Sequence, residues 1–152
     1  CCKLAKANNC RIALSLSDSF CVDRHREELC DLINKYVDII FANETEIQSL
    51  YQSNLQESLK KIREVVEIGA ITLGSKGSIV FQNQVKNLVP AIIVNDPVDT
   101  TGAGDIFASG FLFGLINKYS IEDCGNLGSK VASDIIKYIG ARPKVSLKTF
   151  LN

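Results

Sequence analysis

A doubly wound α/β fold with a mainly parallel sheet is the class this sequence predicts, and three observations carry it. Short apolar runs of strand length alternate with stretches of helical periodicity through the first half, the pattern of βαβ units. The 152 residues are about one domain's worth. No internal repeat or low-complexity linker marks a boundary inside them.

The elements follow in order. Residues 11–16 (Arg-Ile-Ala-Leu-Ser-Leu) form a first strand, and Leu29, Leu32, Ile33 and Tyr36 recur at helix spacing over 24–36. Residues 37–42 are β-branched and aromatic, a second strand. Asn43-Glu44-Thr45-Glu46 then reads as a helix start, because Asn caps well and acids favour the first turn. A longer helix carries Leu55, Leu59, Ile62 and Val66 on one stripe, with Glu57/Lys61 and Lys60/Glu64 spaced i,i+4 on the other face. A third strand spans 70–73 and ends at Gly74-Ser75-Lys76-Gly77, a fourth spans 78–81, and a fifth lies around 86–89. Residues 91–94 read as a further strand edge. Residues 103–117 are apolar on nearly all sides, with small residues interspersed, a helix buried among neighbours. A last amphipathic helix runs over roughly 121–139 on Val131, Ile135, Ile136 and Ile139, and 146–152 is expected to add a turn or two.

Composition excludes several classes of function. With 17 Lys+Arg against 17 Asp+Glu, the net charge is zero, so nothing favours nucleic acid or an anionic membrane. Hydrophobic residues at 46% and charged residues at 22% argue against disorder. No apolar stretch approaches the roughly 18 residues of a membrane span. A soluble, cytoplasmic protein is therefore expected. The chain has no Met and opens Cys1-Cys2-Lys3, which reads as a segment of a longer polypeptide. Six cysteines without CxxC pairs and a single histidine assemble no zinc site, so reduced, mostly buried thiols are expected. His25 reads as an exposed helix residue, which leaves no base for a Ser-His-Asp or Cys-His hydrolase.

Chemistry concentrates in Asp99-Thr100-Thr101-Gly102-Ala103-Gly104-Asp105, directly ahead of the buried helix. Small residues let the backbone turn tightly while its amides converge at a helix N-terminus, which is an anion site by construction. The positive helix end also favours an ionised Asp105, a proton acceptor. Amides for moving phosphoryl oxygens beside a carboxylate for the attacking hydroxyl are what phosphoryl transfer needs. A plain strand-to-helix turn with Asp105 as a capping acid is the bland alternative. Two other motifs fail: GxGxxG would need glycine at Phe107, and a Walker A loop would need Lys at Ser75.

Asp99 through Leu112, Asp-Thr-Thr-Gly-Ala-Gly-Asp-Ile-Phe-Ala-Ser-Gly-Phe-Leu, resembles the C-terminal signature of the ribokinase (PfkB) carbohydrate-kinase family. Asn43-Glu44-Thr45-Glu46 resembles its Asn-x-x-Glu motif, and Thr72-Leu73-Gly74-Ser75-Lys76-Gly77 its nucleotide-binding strand-turn. The resemblance implies a three-layer ribokinase-like fold of which residues 1–152 are the C-terminal, ATP-binding half. It implies an ATP-dependent kinase with Asp105 as base and Gly102, Ala103, Gly104 and Asp105 amides as anion hole. Asn43 and Glu46 would organise Mg²⁺, its waters and the phosphates, with Glu46 acting through water. Thr72, Gly74, Ser75, Lys76 and Gly77 would line the ATP site. Asp99 and Thr101, with a carbonyl near Gly140, match positions for a monovalent cation such as K⁺. Ser129 stands where the family's adenine-flanking Asn or His is expected. Residues 14–20 and 36–44 are similar to the adenosine-kinase-like branch, implying a nucleoside or ribose-type substrate. The substrate-recognising residues and lid belong to the other half, so the segment alone is expected to be inactive, and its open sheet edge to favour self-association. A non-catalytic nucleotide-binding remnant of a kinase is the alternative.

Overall fold

The computed structural model describes residues 1–150. Its chain forms two compact units, Cys1–Thr72 with Phe81–Lys86, and Leu73–Val80 with the chain from Asn87 onward. Sequence gave no hint of this division, because it runs through strands and tight turns where composition does not change.

In the first unit, α1 (Cys2–Ala7), β1 (Ala13–Ser15), α2 (Ser19–Arg24), α3 (Arg26–Tyr36), β2 (Ile39–Asn43), α4 (Glu44–Tyr51), α5 (Leu55–Val65) and β3 (Ile68–Thr72) follow one another. Strands β1 and β2 pair in parallel, Ala13 opposite Ile39, and β2 and β3 do likewise, Asn43 opposite Thr72. This confirms the parallel βαβ reading. Beyond Thr72 come β4 (Ser78–Gln82), β5 (Val85–Val89), α6 (Ala103–Ile116) and α7 (Ile121–Ile135), and the strands run β1-β2-β3-β4-β5 across the sheet. The Asn83-Gln84 turn is held by the first unit, where the Asn83 amide donates to the Glu67 carbonyl (2.8 Å) and Arg63 Nη2 donates to the Gln84 carbonyl (2.8 Å).

Several sequence expectations are corrected. The short helices α1 and α2 were not foreseen, since six residues cannot display a helical period. β1 is three residues rather than six, although the Leu16 amide continues the ladder to the Phe41 carbonyl. His25 ends α2 and precedes α3, so it is exposed at a junction and not within a helix. β3 starts two residues early, at Ile68. Residues 91–94 form no strand, and Ile92 and Ile93 stand exposed. α7 stops at Ile135, which leaves Ile139 80% exposed instead of on the buried stripe. Phe113 and Ile116 of α6 are exposed as well, so this helix is not covered on every side. A 3₁₀ turn, Leu147–Phe150, supplies the expected late turn, while positions 151 and 152 lie outside the described residues. Of the six free cysteines only Cys124 is buried, so the mostly buried thiols of the sequence reading are not found.

Glycine sets two close approaches. At Gly69 of β3, a Cβ would stand 2.3 Å from Phe81 Cζ and 2.6 Å from Ile40 Cγ2, so the fully buried Phe81 ring covers the strand there. Gly69→Ala is expected to cost about 1–3 kcal/mol through overpacking, read as a lower denaturant midpoint with unchanged slope. In the second unit α6 and α7 meet over small residues. A Cβ on Gly110 would approach Val131 Cγ2 to 2.7 Å, and one on Gly128 the Phe107 carbonyl to 2.9 Å. Ile106, Leu127, Val131 and Ile135 complete that core, with Ala103 and Ile136 packed against it.

At the other end of the first unit Asp38 ties α1 to the sheet. Both its oxygens accept from Lys6 Nζ (2.6 and 2.7 Å) and one from the Ile12 amide (2.7 Å). Partial burial pushes the Asp38 carboxyl up. The Lys6 and Ile12 hydrogen bonds and the charges of Lys6 and Arg11 outweigh burial and hold it below its ordinary 3.8. A lowered folded-state pKa means stability that is present above 3.8 and lost as pH falls through the folded value. Asp38→Asn is therefore expected to flatten the acid side of a Tm-versus-pH curve.

Candidate functional site

Asn43 ends β2 and caps α4. Its Oδ1 accepts from the Glu46 amide (2.8 Å), while Glu46 returns Oε2 to the Asn43 amide (2.8 Å) and Oε1 to Asn43 Nδ2 (2.7 Å). This is a capping box, and it settles two donors of the helix end reciprocally. Glu46 is buried, with 6% of its surface exposed, and Asn43 is exposed. Burial pushes the Glu46 carboxyl up, the Asn43 amide pulls it down, and the Asp18 charge adds to the rise. Glu46 is thus not the solvated acid of an ordinary surface helix. Asn43→Ala is expected to cost about 0.5–2 kcal/mol for the cap, and more because Glu46 Oε1 loses the Asn43 Nδ2 donor while Oε2 keeps the backbone amide, as measured by denaturant unfolding.

Opposite Asn43 in the sheet register, Thr72 ends β3 half-buried, with Oγ1 donating to the Ala42 carbonyl at 3.5 Å. These two predicted residues therefore sit side by side at the carboxyl ends of parallel strands, where α/β sheets bind ligands.

The second unit opens with a 3₁₀ turn, Gly74–Lys76. It is closed by the Leu73 amide on the Gly77 carbonyl (2.7 Å) and the Gly77 amide on the Gly74 carbonyl (3.1 Å). Gly74, Ser75 and Lys76 are exposed. Gly77 is buried at φ 98°, and a Cβ there would lie 2.0 Å from the Val89 carbonyl, so the position requires glycine.

Gly102 is the N-cap of α6, in the left-handed region at φ 77°, and no side chain caps the helix. Asp105 therefore does not act as the capping acid of the bland reading. It is exposed on the first turn, and among the described residues its carboxylate has no hydrogen bond or ion pair, while its carbonyl accepts from Ser109 Oγ (2.9 Å). The Ala103 amide is taken by the Thr100 carbonyl (3.1 Å), whereas the Gly102, Gly104 and Asp105 amides have no partner among the described residues. A Cβ on Gly104 would meet nothing within 4 Å. The arrangement offers free N–H donors and a free carboxylate on one exposed helix end.

The structure also brings Asp99, Thr101 and Gly140 together. Asp99 Oδ1 accepts from the Thr101 amide (2.8 Å) and Oδ2 from the Gly140 amide (2.9 Å). The Thr101 side chain, then the Gly140 and Thr101 amides, hold the Asp99 carboxyl below its ordinary range. Ser129 is buried on α7. Ala141, which sequence reading did not single out, lies against Gly102: a Cβ on Gly102 would stand 2.7 Å from the Ala141 methyl. No sequence signal marks that contact, because it joins residues 39 positions apart. Among the described residues, no three His, Cys, Asp or Glu side chains group as a metal site, and no helix is long and apolar enough to cross a membrane.

Comparison with known proteins places this geometry in a family. The model for "pfkB family carbohydrate kinase" matches residues 1–148. An uncharacterized sugar kinase of Archaeoglobus fulgidus is 37% identical over 111 residues, 72% of this chain and 44% of its own length. Among solved structures, a probable sugar kinase from Rhizobium etli superposes with a TM-score of 0.94 at 44% identity, over 98% of this chain and 46% of that one. The adenosine kinase from Sinorhizobium meliloti gives a TM-score of 0.93 at 41% identity, over 97% and 46%. The chain thus spans less than half the length of these relatives. With the family model matching nearly the whole chain, the chain belongs to the pfkB family of carbohydrate kinases.

Proposed function

We propose that this chain is the nucleotide-binding and catalytic portion of an ATP-dependent kinase that phosphorylates a hydroxyl of a nucleoside or ribose-type sugar. The observation that carries the proposal is the start of α6, where the amides of Gly102, Gly104 and Asp105, unpartnered among the described residues, share a helix end with the Asp105 carboxylate.

In this reading the amides receive the γ-phosphoryl oxygens, whose charge they stabilise as it develops. Ala103 joins the anion hole by releasing its amide from Thr100. Asp105 takes the proton from the acceptor hydroxyl as its oxygen bonds to phosphorus and the bond to the ADP oxygen breaks. Thr72, Gly74, Ser75, Lys76 and Gly77 are assigned to the nucleotide, the glycines allowing close backbone approach. Mg²⁺ fits the Asn43–Glu46 box only through water: both Glu46 oxygens already accept hydrogen bonds, each keeps one lone pair, and the described residues hold no protein-only cluster. When bound, the ion neutralises phosphate charge. Asp99, Thr101 and Gly140 are assigned to a monovalent cation, since a carboxylate with spare lone pairs lies beside two loop backbones.

The adenosine-kinase-like sequence over 14–20 and 36–44 supports the substrate class. A test is ATP consumption by the full-length protein against adenosine, other nucleosides, ribose and fructose phosphates. Turnover with one nucleoside or with ribose is expected. If Mg-ATP binds but nothing on the panel is phosphorylated, the portion is a nucleotide-binding module instead. The isolated segment is expected to self-associate through its open sheet edge and its exposed apolar side chains, Phe20, Ile93 and Ile139 among them at 82%, 84% and 80% exposure.

A further inference from the structure

The start of α6 does not hold its own shape. Gly102 is in a left-handed conformation with no side-chain cap, and the turn's own bonds are two, the Thr101 amide on Asp99 Oδ1 and the Ala103 amide on the Thr100 carbonyl, so contacts from outside the turn help fix it. Three contacts from the segment after α7 do so, all within the second unit. The Ile136 carbonyl accepts from the Val98 amide (2.7 Å) and the Asp99 amide (3.3 Å). Asp99 then spreads its carboxylate over two backbones, Oδ1 on the Thr101 amide and Oδ2 on the Gly140 amide. Finally the Ala141 methyl occupies the space that a Gly102 Cβ would need, 2.7 Å from that position, with the Ala141 Cα at 3.0 Å. Gly140 reaches this placement at φ 97°, with nothing within 4 Å of where its own Cβ would be.

We infer that Asp99 and Ala141 are positioning residues for the anion hole: the carboxylate clamp from Thr101 to Gly140 and the Ala141 methyl against Gly102 set where the amides of Gly102, Gly104 and Asp105 point. This rests on the kinase reading above, which already assigns Asp99 to the cation, and adds to it a positioning role for Asp99 and for Ala141, neither of which touches substrate. Amides in such a site gain their effect from being fixed before the reaction, so a small displacement costs rate more than binding.

The experiment compares Asp99→Asn, Ala141→Gly, Ala141→Val and Asp105→Asn in the full-length protein at fixed Mg²⁺ and over a K⁺ titration, so that a weakened cation site, relieved by high K⁺, is told apart from a lost clamp. Each is read as kcat, KM for ATP, KM for the acceptor, and Tm. Asp99→Asn removes one of the two acceptors, Ala141→Gly empties the brace without crowding, and Ala141→Val presses on Gly102. Asp99→Asn and Ala141→Val are expected to lower kcat about 10- to 100-fold, and Ala141→Gly about 3- to 10-fold, with both KM values within about twofold. Ala141→Gly is the safeguard, because an exposed loop alanine is the change least able to unfold the protein. A lower Tm with kcat unchanged in all three would overturn the inference and leave the brace a structural contact. Equal losses in kcat/KM arising from KM alone would overturn it too, since that pattern marks binding and not positioning. Full activity in Asp105→Asn would instead remove Asp105 as the base, and a parent protein that phosphorylates no acceptor would overturn the kinase reading on which the inference rests.

Discussion

Asp105→Asn is expected to lower kcat of the full-length protein by about 10²- to 10⁴-fold, the usual worth of a positioned general base, while affinity for Mg-ATP stays within about twofold. The structural side of the argument is short. Asp105 is exposed, its carboxylate makes no hydrogen bond or ion pair among the described residues, and its carbonyl keeps Ser109 whatever the side chain. Asn has the same shape and sits equally well in a first turn, so Tm should move by less than about 2 °C, a surface-substitution effect. A helix cap would behave in the opposite way, losing stability and leaving chemistry alone. Measuring kcat, nucleotide affinity and Tm on the same preparations therefore separates the two readings. A kcat within about threefold of the parent's would remove Asp105 from the reaction, since no general base is worth so little.

The sequence made the phosphate-end turn legible because its determinants are local. Two glycines around one alanine, followed by an acid and an apolar helix, specify a tight turn into a helix N-terminus without any distant contact. Asn43 and Glu46 were legible as a helix start for the same reason, three residues apart being the span of a capping box. The burial of Glu46 was not legible, because it depends on how α4 packs and acids are seldom buried. Gly69 misled the strand boundary, since glycine is a poor strand former, and its reason lies in Phe81, twelve residues on. Residues 91–94 misled in the other direction. Apolar, β-branched composition says that a strand is affordable locally, not that a ladder partner exists, and Ile93 is 84% exposed. The bracing of Gly102 by Ala141 was invisible altogether, because an alanine in a loop carries no pattern.

Gly102 and Gly104 separate what the turn needs for folding from what it needs for chemistry. Gly102→Ala combines a left-handed conformation, worth about 1–2 kcal/mol against a non-glycine residue, with a Cβ 2.7 Å from the Ala141 methyl. Crowding of that kind adds about 1–3 kcal/mol. The variant is expected to lose about 2–5 kcal/mol of stability and, with its amide displaced, about 10²–10³ in kcat. Removing the Ala141 methyl in the same chain relieves the crowding but not the backbone strain, so Ala141→Gly should restore part of the stability and only part. Gly104 differs at every point: it lies inside the first turn of α6, its φ is not positive, and a Cβ there meets nothing. Gly104→Ala is therefore expected to stabilise the protein by about 0.5–1 kcal/mol, the helix-propensity gain of Ala over Gly. If the open face above Gly104 is where the γ-phosphoryl group lies, the same methyl blocks it, and kcat falls although the protein is more stable. A Gly104→Ala variant that is both more stable and fully active would place the phosphoryl group elsewhere. Stability and rate moving in opposite directions at one residue is a result that packing cannot produce, which makes this the more discriminating of the two glycines.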